Sequence, residues 1–161
     1  MVESRQLGRA DRERLYESFG PRLLIYLERR TSNPALAADL LQAVFVRLIE
    51  HPFWSESDAQ IKSYLYRIAY SKLVDHARRR QRERLLDLLP WCQAAVPDFG
   101  SDMGKPFQRL KARDATMLWL AYVEEMNQNE TAKTLGVQPG SVKMLLSRAC
   151  NRLRNLNAES A

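Results

Sequence analysis

The amino-acid sequence predicts an all-α protein: two small helical domains joined by a Pro/Gly-containing linker, the second carrying a helix-turn-helix. Three observations carry this. Apolar residues recur at helical spacing almost throughout, with no convincing alternating strand. The stretch 85–106 collects Pro90, Pro97, Gly100, Gly104 and Pro106, which punctuate rather than build helices. The stretch from Gln128 to Ser147 meets the steric demands of two helices crossing at a tight turn. The expected division is therefore 1–84, 85–106 and 107–161, and the 161 residues suffice for one ordinary domain or two small helical ones.

The first helix is expected from near Asp11 through Leu15, Tyr16, Phe19, Leu23, Leu24 and Leu27, perturbed where Gly20 and Pro21 interrupt it. Asn33 and Pro34 form a cap and first-turn pair opening a second helix that ends before Pro52. Its apolar pairs Leu40/Leu41, Val44/Phe45 and Leu48/Ile49 predict one broad buried stripe. Asp39, Gln42, Ala43, Val46 and Glu50 share another face, a small apolar strip rimmed by polar groups. On these residues alone that face reads first as plain solvent-exposed surface, and second as a face that docks on another protein.

A third helix is expected to begin near Ser57 or Asp58 and to run into an Arg-rich stretch, with Ile61, Leu65, Ile68 and Leu73 on its core side. Interleaved with them are Tyr64, Tyr66 and Tyr70 and the cations Lys62, Arg67, Lys72, Arg78, Arg79 and Arg80. Stacking platforms mixed with backbone neutralisers suit a single-strand-binding surface. For any one tyrosine, a core aromatic with a wet hydroxyl is the stronger reading. In the linker, Leu85, Leu86, Leu88, Leu89 and Trp91 are unusually apolar, so its first part extends a helix or packs on a partner. The chain resumes helical spacing near Phe107, with Met117, Leu118, Leu120 and Ala121 as the core of the helix that follows.

In the helix-turn-helix, Ala132 falls where the helices approach closest and Gly136 allows the positive φ of the turn. Leu135, Val137, Val142 and Leu145 or Leu146 plug the inter-helix core, and the second helix starts near Pro139. That helix carries Lys143, Arg148, Arg152 and Arg154 with no acid, which suits phosphates and base edges in a major groove. A basic solvated face on an ordinary helical hairpin is the alternative.

Charge agrees with a polyanionic partner. The net charge is +6, and it is concentrated. Lys62 to Arg84 holds eight basic residues against Asp75 and Glu83, and Lys133 to Arg154 holds five against none. Two separated basic segments imply two contacts with nucleic acid. Cys92 and Cys150 lie far apart without CxxC spacing, and His51 and His76 are the only histidines. Neither a zinc site nor histidine catalysis has material, so no metal, no cofactor and no catalytic residue is expected. No apolar run reaches the length of a membrane span, and the polar start VESRQLGRADRER has no signal-peptide core, so a cytoplasmic protein without membrane insertion is expected.

Three segments in order, DLLQAVFVRL, SYLYRIAYSKLVDHARRR and LGVQPGSVKMLLSRACNRLR, resemble the extracytoplasmic-function (ECF) sigma factors of bacteria, two-domain members of the sigma-70 family. The likeness covers roughly Leu15 to Arg154 except the linker. It implies a non-catalytic subunit that directs core RNA polymerase to promoters and helps open them. It implies that Asp39, Gln42, Ala43 and Val46 dock on the clamp helices of the polymerase's largest subunit. The third helix, through Tyr64, Arg67, Ser71, Lys72, Arg78, Arg79 and Arg80, would capture the melted −10 strand. Lys143, Met144, Ser147, Arg148 and Arg152 would bind the duplex −35 element. An anti-sigma inhibitor is a further implied partner, to whose site Leu85 to Trp91 could contribute.

Several positions depart from the family pattern. Ser71 stands where Asn is frequent, Met144 and Leu145 where Ser and Arg are frequent, and Thr131 where an apolar residue is typical. LKARDA opens the second domain without the usual two prolines, Arg113 being retained. These bear on promoter preference. The runner-up function is a free-standing helix-turn-helix repressor or activator, for which the aromatic, basic third helix would be superfluous. A recombinase-like enzyme would need a nucleophile beside clustered arginines and acids, which no segment presents.

Overall fold

The computed structural model describes residues 7–53, 55, 57–87 and 105–160, without the side chains of 84–87, 105 and 160. Every element among them is helical: α1 (Arg9–Thr31), α2 (Pro34–Glu50), α3 (Asp58–Asp87), α4 (Lys105–Arg109), α5 (Ala112–Leu118), α6 (Gln128–Leu135) and α7 (Pro139–Ser160). A π-helical turn, Trp119–Val123, extends α5.

α1 runs unbroken through Pro21, contrary to the expected perturbation. An interior proline costs about 3 kcal/mol in a helix. Leu15 on one side of it, and Leu23, Tyr26 and Leu27 on the other, are buried in the same core, and that packing outweighs the cost. The helix ends at Ser32, which turns left-handed (φ 49°) and donates its N–H to the Glu28 carbonyl. α2 opens as its sequence indicates, the Asn33 side chain accepting from the Leu36 N–H at 3.1 Å with Pro34 in the first turn. Leu40, Leu41, Val44 and Leu48 are buried, but the predicted stripe is too broad: Ile49 is 47% exposed. Phe45 and Ile49 lie one position beyond Val44 and Leu48, at the edge of the arc that α1 and α3 cover, and only Phe45 is roofed, by the Tyr16 ring.

α3 buries Ile61, Leu65, Ile68 and Leu73 as expected, but also Tyr66, which packs edge-on against Tyr26 of α1 with ring centroids 5.6 Å apart. Tyr66 is therefore a core aromatic and no part of a strand-binding surface. The helix continues three residues past Arg84, to Asp87, and α4 begins before Phe107. Met117, Leu118 and Leu120 are buried, whereas Ala121 is only partly so. In a π turn each bond closes one residue later than in an α-helix. Here the Glu124 N–H reaches the Trp119 carbonyl, which shifts Ala121 off the buried side.

The two helical regions share one core. Met117, Leu120, Met126 and Leu135 from the second join Leu15, Tyr26, Leu65, Tyr66 and their neighbours from the first. A smaller cluster of Leu110, Ala115, Leu118 and Ala149, flanked by Phe107, Leu146 and Leu153, lies within the second region and anchors α7.

Candidate nucleic-acid and partner interfaces

The helix-turn-helix is built as its residues require. Asn127 and Glu130 cap α6 reciprocally, each side chain accepting from the other's N–H at 2.9 and 3.0 Å. Gly136 turns left-handed (φ 68°), a conformation that costs an L side chain about 1 kcal/mol or more, and Pro139 starts α7. Ala132, Leu135 and Val142 are buried between the helices, with Val137, Leu145 and Leu146 half-buried beside them. Thr131 is buried too, and its hydroxyl has no hydrogen-bond partner among the described residues.

α7 buries Val142 and Ala149 and leaves Lys143, Met144, Ser147 and Arg148 exposed. At about 100° per residue these four span an arc of roughly 140° opposite the buried side, with Arg152 at its edge. Arg152 is already engaged: its guanidinium pairs with the carboxylate of Asp114 on α5, a side chain only 2% exposed. Arg152 therefore fastens α7 to α5. An acid inside ARDATML, a helix that is otherwise largely buried, was the one sequence signal for this pairing.

On α3, Tyr64, Arg67, Ser71 and Arg78 fall within about 60° of one another around the helix, with Lys72 and Arg79 beside them and Arg80 on the far side. Arg67, Ser71 and the three arginines are exposed, and Lys72 is half-buried. The Tyr64 ring stacks on Phe53 at 4.8 Å and its hydroxyl donates to the His51 carbonyl at 2.9 Å, which fixes the ring's orientation. Phe53, which the sequence reading did not single out, thus belongs to this surface. Burial, reinforced by the Arg80 and Arg79 charges, lowers the pKa of His76, so this imidazole adds no charge to the patch at neutral pH. Beside Tyr64 a cleft of about 350 Å³ is lined by Phe53, Gln60 and Arg67 of this face and by Asn129, Glu130 and Lys133 of α6.

On α2, Asp39, Gln42 and Val46 are exposed, Ala43 is half-buried between them, and Glu50 closes the strip. Asp39, Gln42 and Val46 support no part of the core formed by the described residues. The apolar residues Leu88 to Trp91, considered for an inhibitor site, lie outside the described residues, as do the side chains of Leu85 and Leu86.

Among the described residues no group of three or more His, Cys, Asp or Glu side chains could hold a metal ion. No described helix is long and apolar enough to cross a membrane.

Residues 15–83 match sigma-70 region 2, and residues 107–155 match sigma-70 region 4. RNA polymerase sigma factor SigZ of Bacillus subtilis is 25% identical over 150 residues, covering 89% of this chain and 85% of that protein. ECF RNA polymerase sigma factor SigM of the same organism is 23% identical over 159 residues, covering 89% and 93%. The fold matches that of the sigma factor RpoE of Bartonella quintana, solved in complex with the anti-sigma factor NepR. The TM-score is 0.71 at 24% identity, over 91% of this chain and 96% of that one.

Proposed function

Because the chain belongs to the sigma-70 family, as an RNA polymerase sigma factor of the ECF type, we propose that it recruits core RNA polymerase to particular promoters and helps open them, the polymerase doing the chemistry. The work is binding, carried out in the bacterial cytoplasm where polymerase acts. It is divided between an N-terminal unit (1–84), a linker (85–106) and a C-terminal unit (107–161). The exposed Asp39, Gln42 and Val46, with Ala43 between them, would dock on the polymerase clamp helices. Tyr64, Arg67, Ser71, Lys72, Arg78 and Arg79 would hold the melted −10 strand, with Arg80, on the far side of α3, reaching the flanking backbone. Lys143, Met144, Ser147 and Arg148 would read the −35 duplex.

The observation that carries this reading is the presence of two differently built basic surfaces on one chain, one on α7 and one on α3. α7 presents a basic helix with a 140° exposed arc, suited to a major groove about 12 Å wide. α3 presents an aromatic fixed by Phe53 and the His51 carbonyl among exposed cations, suited to unpaired bases whose stacking contributes about 1 to 3 kcal/mol each. A repressor reading duplex DNA would use only the first. A protein inhibitor of the anti-sigma class is the further partner this reading includes.

The test is co-purification with core polymerase followed by binding to matched and pre-melted promoter templates. Retention on polymerase with preference for the melted template supports the reading. A chain that binds duplex DNA alone and leaves core polymerase untouched would instead be a free-standing regulator.

A further inference from the structure

Met144 is the one large apolar side chain that α7 exposes among the described residues, at 49%. Its neighbours on the exposed arc, Lys143, Ser147 and Arg148, are all polar. At about 100° per residue Met144 falls between Ser147, about 60° away, and Arg148, about 40° away, so all three face the same way. Met144 belongs to neither apolar cluster of the described residues, and the fold does not use it.

One turn earlier stands Gly140, which is exposed too. A long side chain on a helix leans toward the N-terminus, so Met144 lies over the turn that contains Gly140. A Cβ at Gly140 would meet nothing within 4 Å, so no packing inside the chain calls for a glycine there. The bare backbone lets the start of α7 come close to the floor of a groove, with Met144 over that approach.

A major groove offers a thioether little to pair with. Guanine N7 and O6, adenine N7 and N6, cytosine N4 and thymine O4 are all hydrogen-bonding groups. Each would lose water against a side chain that donates nothing and accepts only weakly. The thymine C5-methyl is the exception, the one alkyl group on that edge. Methionine is unbranched, has a polarisable sulfur and adapts to the position of such a group. Four residues of helix rise about 6 Å and base steps are about 3.4 Å apart, so the base under Met144 lies one or two pairs from the base under Arg148.

We propose that Met144 selects a T·A pair in the −35 element by packing on the thymine C5-methyl, one or two base pairs from the pair that Arg148 reads. The proposal rests on the reading of α7 as the −35 contact and names the base and the group recognised. At that step the subunit senses a methyl group, not a hydrogen-bond pattern. Burying one methyl changes affinity about fourfold, the equivalent of about 0.8 kcal/mol.

The test uses holoenzyme, core polymerase saturated with the full chain, on duplexes carrying the −35 element it prefers from a randomised pool. Single thymines are replaced by deoxyuridine, which removes the methyl and keeps every hydrogen-bonding group. Competition anisotropy should find one thymine whose replacement weakens the wild type about fourfold. Met144→Ala should bind the two templates equally, and Met144→Leu should keep most of the difference. Circular dichroism checks that both variants fold, as an exposed position predicts. Replacing the same T·A pair by C·G should weaken wild-type binding, and 5-methylcytosine in place of that cytosine should restore the share due to the methyl.

A wild type indifferent to every deoxyuridine overturns the proposal, as does a Met144→Ala protein with the wild-type deoxyuridine penalty. So does a preferred element with no T·A pair within one or two base pairs of the step whose preference Arg148→Ala removes. In these cases the −35 reading of α7 survives, provided Arg148→Ala still flattens preference. Should neither Arg148→Ala nor Met144→Ala alter preference anywhere in the element, the −35 reading falls and the methyl contact with it.

Discussion

Arg152 of α7 is ion-paired with the buried Asp114 of α5, whereas Arg148, one turn earlier on the same helix, is exposed. Two arginines that look equivalent in the sequence therefore carry different loads. Arg152→Ala leaves the Asp114 charge buried without its partner and should destabilise the fold by about 2 kcal/mol, while preference among −35 variants survives. Arg148→Ala should leave stability within about 0.5 kcal/mol, cost roughly 1 to 3 kcal/mol on the preferred −35 sequence and flatten discrimination. Urea unfolding and anisotropy against a panel of −35 variants check both. Uniform weakening by Arg148→Ala would make that residue a backbone clamp.

Thr131 has a buried hydroxyl without a partner among the described residues, at a position with almost no exposure to make up for it. Thr131→Val keeps the shape and removes the desolvated hydroxyl, so it should stabilise the chain by about 1 kcal/mol. Thermal unfolding is the check, and an unchanged or lowered midpoint would mean that the hydroxyl is satisfied by water.

These two cases show what the sequence could and could not express. Asn33–Pro34, Ala132, Gly136 and Pro139 act through local geometry, so the α2 start and the helix-turn-helix were legible residue by residue. The core side of α3 was legible too, because its period is local. The buried Glu124 carboxylate after the π turn, ion-paired with Arg22 of α1 and accepting from the Tyr66 hydroxyl of α3, was not. Its partners lie 58 to 102 residues away in the chain, and no periodicity couples Tyr66 or Arg22 to a glutamate in another unit. The π turn, the burial of Tyr66 and the packing of Phe53 on Tyr64 are likewise tertiary. The candidate site was therefore read as separate faces of separate helices, without the interface between the two units.

Tyr64 is oriented by Phe53 and the His51 carbonyl, and so is prepared to stack. Tyr64→Ala and Lys72→Ala should weaken holoenzyme binding to a pre-melted bubble more than to the matched duplex, by about 1 to 3 kcal/mol for the tyrosine. Fluorescence anisotropy on the two templates decides. Equal loss on both would assign α3 to backbone contact only. Arg78→Ala, an exposed cation on the same face, should lower the salt slope by about one unit.

Asp39 and Gln42 are exposed on a face of α2 that holds up no core. Replacing either with Arg should abolish polymerase binding while shifting stability by no more than about 0.5 kcal/mol. Pull-down on core polymerase, with thermal melts of the same preparations, makes the comparison. A folded double variant that still binds would move the docking face elsewhere.

A sigma factor confers promoter selectivity on a polymerase that lacks it. The most direct measurement is run-off transcription by purified core polymerase on a library of linear promoter templates, with and without the full-length chain. Initiation that depends on the chain, starts from a defined subset of templates and is lost with the Asp39→Arg protein is the predicted result. Transcripts unchanged by adding the chain across the whole library would contradict it.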